Sequence, residues 1–328
     1  CRDITAFLAF STFFPLMTAG PIERAKRLLP QFLKARSFDE AKSKDALRQI
    51  LWGLFRKIVI ANNLVAPINE AFGNYAHLSG IDLAVGVFLF SVQIYVDFAA
   101  YSDIAMGCGR LLGFRIMRNF AYPYFSRDIA EFWRRWHISM SSWFRDYVYT
   151  PLSMHVSLAQ KWRRLWNILV TFTVSGLWHG ANWTFVVWGF IHGLLFIPSV
   201  FGQPPQHETK MAAEGRLLPN LRELRQLVIT FTAVSLAWVF FRAENLGHAC
   251  GYFGAMFSST WLTAPTYNLE VIYAAAILVF EWIRRDHIHS FEIASLPLPV
   301  RWSLYIAVLA AIALLGDFGV HDFFYAQF

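Results

Sequence analysis

Residues 83–109 contain no lysine and no arginine, and only Asp97 and Asp103 interrupt an otherwise apolar run. A helix needs about 20 mostly apolar residues to cross the hydrocarbon core of a bilayer, and this run satisfies that without help. Shorter apolar runs follow at 165–178, 183–201, 227–241, 271–283 and 302–315. Each of these needs polar flanks, tilt or local thinning to cross. The runs at 165–178 and 183–201 are hinged at His179-Gly180-Ala181-Asn182. Residues 4–18 contain Pro15 and read as re-entrant, and residues 50–72 are broken by Arg56 and Lys57, so they are expected to cross only from Ile58 onward. The chain is 56% hydrophobic and 16% charged, against about 25% charged for soluble domains. Its 32 Phe and 13 Trp would overfill a single soluble core, since cores stop growing at roughly 250–300 residues. The expected fold is all-α: a polytopic transmembrane helical bundle with no soluble domain.

The loops test this expectation independently, because Arg and Lys collect on cytoplasmic loops. Residues 23–57 hold ten of them, 110–164 hold ten, 202–225 hold four and 284–301 hold three, together 27 of the 29 in the chain. The segments 73–82, 242–270 and 316–328 hold one, Arg242. This alternation predicts basic loops inside and the carboxyl terminus outside. The net charge of +7 then points to membrane lipid on the cytoplasmic face. The basic clusters lie between apolar runs and not on one soluble face, so nucleic acid is not implied. Cys1, Cys108 and Cys250 show neither pairing nor metal spacing. The chain opens on Cys1 and shows no leader pattern, so further amino-terminal helices are expected upstream. The polar stretch 202–225, with Pro204-Pro205, reads as a cytoplasmic loop.

Residues 119–152 are neither loop nor span. They carry Phe132-Trp133-Arg134-Arg135-Trp136-His137, then Trp143, Arg145, Asp146, Tyr147 and Tyr149. Trp, Tyr and Arg together favour the membrane–water boundary. The segment fits a cytoplasmic interfacial anchor, and it also fits one wall of a site that includes His137.

His179 stands out chemically. Counted from the cytoplasmic edge near Leu165, fourteen residues of helix place it on the order of 20 Å into the bilayer. An ionisable side chain at that depth is by default a functional candidate, with a hydrogen-bonded core histidine as the alternative. Gly176 and Gly180 flank it and are expected to thin the helix and open space beside the ring. Asp97 and Tyr101 share a helical face, and no Lys or Arg is expected to pair with Asp97 or Asp103 within the spans. They read either as a polar seam between helices or as part of a site. His179 and His192, thirteen residues apart, have the spacing of a haem bracket, but no ligand is expected on a facing helix. The remaining histidines lack metal-ligand spacing, so no metal and no bound cofactor are expected. No phosphate loop and no nucleophile elbow is present.

The motifs occur in a recognisable order. Ala19-Gly20-Pro21-Ile22-Glu23-Arg24 and Leu28-Leu29-Pro30-Gln31 come first, then Gln93-Ile94-Tyr95-Val96-Asp97-Phe98 with Tyr101-Ser102-Asp103. Next come residues 132–139 with Trp143, Arg145-Asp146-Tyr147 and Pro151, and then Ser175-Gly176-Leu177-Trp178-His179-Gly180-Ala181-Asn182-Trp183. Phe323-Phe324-Tyr325-Ala326-Gln327-Phe328 closes the chain. This order resembles the membrane-bound O-acyltransferase (MBOAT) family, and within it the alginate O-acetyltransferase (AlgI-like) group. Ser153-Met154-His155 stands where that group usually has a Gly-Gly turn and a basic residue.

The resemblance implies one MBOAT membrane domain over residues 1–328, with interfacial and re-entrant helices around a central tunnel. It implies that His179 is the catalytic histidine of the tunnel and His137 the second histidine, nearer the cytoplasm. Asp97, Tyr101, Trp133, Arg134, Trp136, Trp178 and Asn182 accompany them as candidates for the substrate path. It further implies an acyltransferase of the bacterial inner membrane. Acetyl-CoA or another acyl thioester would be the donor, a periplasmic SGNH-type transferase the partner, and an exported polysaccharide the acceptor. The competing expectation is a transporter or flippase of an acylated intermediate that makes no bond. Its mark would be opposite charges facing each other across two spans.

Overall fold

A computed structural model describes residues 3–17, 20–202, 211–261 and 264–321. Cys1, Ala19 of the first motif, 203–210 of the polar loop and the motif at 323–328 lie outside the described residues. The described residues form helices and no strand. The chain divides into two compact units: residues 1–63, 93–121 and 287–327 form one, and residues 64–92 and 122–286 belong to the other. Among the described residues, four helical stretches are long and apolar enough to cross a membrane: Gly80–Leu111, Trp183–Phe201, Leu221–Arg242 and Leu298–Leu315.

The first unit contains α1 (Ile4–Ser11), α2 (Ala25–Phe32) and α3 (Glu40–Phe55). Asp39 caps α3 by accepting the Lys42 amide at 3.0 Å. Residues 50–72 do not continue as one span. α3 gives way to a π-helical turn at Arg56–Ala61 and a 3-10 turn at Asn62–Leu64, and α4 (Val65–Gly73) begins in the second unit. The cause lies in the side chains that the π turn places. Arg56 meets Asp103 at 2.8 Å and Lys57 meets Asp97 at 2.7 Å. Both aspartates lie on α5 (Gly80–Leu111), so the expectation that no cation pairs with them is wrong. A π turn inserts one residue per turn and re-aims the side chains beyond it, which the apolar pattern does not reveal. Gln49 adds a bond to Asp103 at 2.7 Å, and Asp45 ties Arg110 at 2.8 Å and His289 at 3.2 Å. α3 comes close to α5 because Gly53 and Gly107 have no side chain there. A Cβ at either would stand under 3 Å from the Ala100 or Ala46 carbonyl.

The second unit contains α4, the first part of α5, α6 (Ile129–Arg135), α7 (Ile138–Phe144) and α8 (Thr150–Ser153). It continues through α9 (Lys161–Trp178), α10 (Trp183–Leu194), α11 (Ile197–Phe201), α12 (Leu221–Arg242), α13 (Leu246–Ser258) and α14 (Asn268–Arg284). α15 (Leu298–Leu315) returns to the first unit and packs on α3. The last residues of the polar stretch 202–225 are already helical, because Asn220 and Glu223 form a capping box that starts α12. α9 and α10 form a hairpin, and α10 also packs on α12. A Cβ at Gly176 would overlap the Phe185 carbonyl, and one at Gly189 would overlap the Phe172 carbonyl. Gly176 therefore does not open space beside His179. It lets the α10 backbone fill that space.

Candidate functional site

The turn between α9 and α10 is set by local chemistry. α9 ends when the His179 and Gly180 amides bond back to Gly176 and Leu177 at 3.0 and 3.2 Å. Gly180 has φ +153, a conformation that side-chain-bearing residues avoid. Asn182 caps α10 by accepting the Thr184 amide at 3.0 Å, and its amide nitrogen donates to the Glu244 carbonyl at 2.8 Å. Asn182 is thus a structural cap that sets the turn carrying His179. Trp178 faces outward and is 54% exposed, whereas His179 is 2% exposed.

His179 sits among rings. Trp188 packs edge-on at 5.3 Å and Phe241 at 5.1 Å. Trp188 stacks on Trp238 at 5.5 Å, and Trp238 meets Trp136 at 5.0 Å. On the other side Trp188 meets His192 at 4.9 Å, whose Nδ1 accepts the Trp133 indole N–H at 3.3 Å. His192 is fully buried, and its Nε2 has no hydrogen-bond partner among the described residues. The cluster therefore holds two buried imidazoles, both in contact with Trp188.

His137 lies close to this cluster on an unusual backbone. It lies between α6 and α7 with φ +40 and ψ +54, in the left-handed region. This costs an L-residue on the order of 1–2 kcal/mol. The conformation joins the end of α6 directly to the start of α7, and the ring is 2% exposed. Burial pushes the His137 imidazole well below its ordinary value, and His179 is near enough to add to that electrostatically. α6 itself is fixed by Glu131. Its carboxylate accepts both the Arg127 Nε–H and an Arg127 terminal N–H at 2.9 Å, and an Arg135 terminal N–H at 2.7 Å. In the segment 119–152, Trp133 and Trp136 are core residues, while Trp143 and Tyr147 are 39% and 58% exposed.

The second unit thus brings His179, Trp133 and Trp136 into one aromatic cluster, with buried His137 near enough to His179 to feel it electrostatically. Trp188 and His192 join them. Sequence reasoning took His192 only as half of a haem bracket and did not consider Trp188. Their i,i+4 spacing on α10 places them on one face, and that signal was available. Asp97 and Tyr101 belong to the first unit, where Asp97 is held by Lys57. Arg134 is exposed and lines a cavity of about 610 Å³ in the second unit, together with Trp133, Arg145 and Arg164. Neither His137 nor His179 lines that cavity.

The family model of membrane-bound O-acyltransferases matches residues 2–237. The chain belongs to the MBOAT family. Among relatives of this MBOAT chain is the "Probable alginate O-acetylase AlgI" of Pseudomonas aeruginosa, 40% identical over 263 residues, covering 79% of this chain and 47% of that protein. A peptidoglycan O-acetyltransferase of Helicobacter pylori is 35% identical over 246 residues, covering 74% of this chain and 45% of that protein. A teichoic acid D-alanyltransferase of Streptococcus thermophilus is 29% identical over 254 residues, covering 72% and 60%. This MBOAT chain spans about half the length of the alginate and peptidoglycan relatives.

Proposed function

We propose that the protein is a multi-pass membrane O-acyltransferase that supplies acetyl groups for O-acetylation of a cell-envelope polysaccharide. Family membership supports the reaction class, and the alginate and peptidoglycan relatives support a glycan acceptor. The observation that carries the site is the burial of His179 against Trp188 and Phe241 at the α9–α10 turn.

In this reading the donor is cytoplasmic acetyl-CoA. His179 takes the proton of an acceptor hydroxyl as the oxygen attacks the thioester carbonyl. The carbon–sulfur bond breaks, an ester forms, and the proton passes to the departing CoA thiolate. His137, buried near His179, orients the acyl group or the tunnel wall. The protein sits in the bacterial inner membrane, with basic loops cytoplasmic and the carboxyl terminus periplasmic. The acceptor hydroxyl in this step is that of a periplasmic SGNH-type transferase, whose new ester is then cleaved by a glycan hydroxyl that takes the acetyl group and returns the proton. The test is His179→Ala, with His179→Gln as a near-isosteric control. Both are expected to abolish CoA release from acetyl-CoA while membrane insertion persists. Wild-type CoA release in either variant would refute the assignment.

A second reading, a transporter or flippase, draws on the pairs Arg56–Asp103 and Lys57–Asp97, which put opposite charges face to face between α5 and the chain after α3. Purified protein separates the two readings, since a transporter consumes no thioester.

A further inference from the structure

The cavity in the second unit is not used by the proposed transfer. Its lining carries three guanidinium groups, Arg134, Arg145 and Arg164, and no carboxylate. Arg134 makes no ion pair among the described residues. The Arg164 guanidinium donates only to the Leu158 carbonyl, at 3.5 Å, and Arg145 shares its charge with Asp146 at 2.9 Å. The rest of the lining is largely apolar and includes Trp133, Phe172 and Val200. We propose that this cavity binds an anionic phospholipid, with its phosphate among the three arginines and the start of its acyl chains along the aromatic wall.

Each half of the lining removes an alternative. A soluble phosphate ester would leave the aromatic wall bare, at a cost that rises with its area. A neutral amphiphile would leave the guanidiniums uncompensated, whereas phosphate takes their N–H groups in charge-assisted, bidentate bonds. A volume of about 610 Å³ suits a headgroup and the first carbons, with the remaining chain outside. α9 exposes Trp162 and Trp166 at 74% and 64%, a pattern of the boundary where headgroups lie. Neither buried histidine lines the cavity, so the occupant is a resident lipid; displacement of that lipid by acetyl-CoA would assign the cavity to the donor and overturn the proposal. The proposal rests on the orientation that puts residues 110–164 at the cytoplasmic leaflet, where anionic lipids give the surface its negative potential.

The experiment is native mass spectrometry of the full chain in detergent with phosphatidylglycerol, phosphatidylethanolamine or inorganic phosphate, on the parent and two variants. The paired change Arg134→Gln and Arg164→Gln removes charge, and Ser199→Trp fills the cavity. The parent is expected to retain phosphatidylglycerol in preference to phosphatidylethanolamine. The arginine pair is expected to weaken retention about tenfold or more, and Ser199→Trp to abolish it. Equal retention of the two lipids would overturn the proposal. So would unchanged retention in the arginine pair, or displacement by inorganic phosphate, which would assign the site to a soluble ligand. If Ser199→Trp fails to fold, the arginine pair decides alone. Repeating the measurement on His179→Ala separates lipid binding from transfer chemistry, so that either can fail without the other.

Discussion

Glu131 is the most exacting place to perturb the site without touching a histidine. Its side chain is 4% exposed, and its two partners, Arg127 and Arg135, are 6% and 12% exposed. Glu131→Gln removes the charge and retains the shape, leaving two guanidiniums buried around a neutral amide. Breaking a buried pair from one side costs about 3–5 kcal/mol, and here one carboxylate serves two cations. A drop at the upper end of that range is expected in thermal unfolding of the detergent-solubilised protein. The double change with Arg127→Met should recover part of it, because a cation that is no longer present needs no partner. The same carboxylate sets a pH window. Burial raises the Glu131 carboxyl, but the Arg127 hydrogen bonds and the charges of Arg135 and Arg127 outweigh it, and the net position is below the ordinary 4.5. A lowered folded-state value contributes stability that is fully present above 4.5 and is lost as pH falls through the folded value. The parent should therefore lose stability in acid more steeply than Glu131→Gln. Because α6 carries Trp133 and ends beside Trp136 and His137, acyl transfer should fall with stability. If Glu131→Gln unfolds within about 1 °C of the parent, a shift far below that expected for several kcal/mol, the clamp does not hold α6.

The remaining predictions concern backbone and seam. Gly176→Ala and Gly189→Ala should each separate the α9–α10 hairpin, seen as a lowered unfolding temperature and faster proteolysis, whereas Gly254→Ala, with open space around it, should change little. Asp103→Asn should destabilise by about 3 kcal/mol because Arg56 is left buried, and Arg56→Met in the same chain should restore part of the loss. At His137, both Asn and Val should abolish acyl transfer. Val should unfold at the lower temperature, since Asn tolerates the left-handed backbone and a β-branched residue does not. Asn182→Ala should cost about 1 kcal/mol through the lost cap.

Legibility in the sequence tracks the physics of one-dimensional signals. The span at 83–109, which the structure extends to 80–111, was plain because a long apolar run without Lys or Arg has few alternatives. The hinge at 179–182 was plain because Gly180 and Asn182 are local chemistry that needs no partner. The ion pairs were not plain. Arg56 and Asp103 are 47 residues apart, and an apolar pattern interrupted by Arg56 and Lys57 reads as a loop boundary when the partners are unseen. The role of Gly176 was misread for a related reason. A missing side chain signals either open space or close backbone approach, and only the position of α10 decides between them. Trp133 and Trp136 looked like boundary residues by composition, but the left-handed turn at His137 comes directly after them and the chain turns inward.

The glycine contacts between α9 and α10 also have a mechanical meaning. Two backbones in direct touch have no soft side-chain layer to shear, so the hairpin moves as one stiff part. His179 and Trp188 then travel together with the hairpin backbone. The strained backbone lies outside that hairpin, at the α6–α7 corner, where His137 is wound against its preference. A chain that rigidifies the histidine and loads its strain into the adjoining corner has separated the part that must stay still from the part that is free to yield.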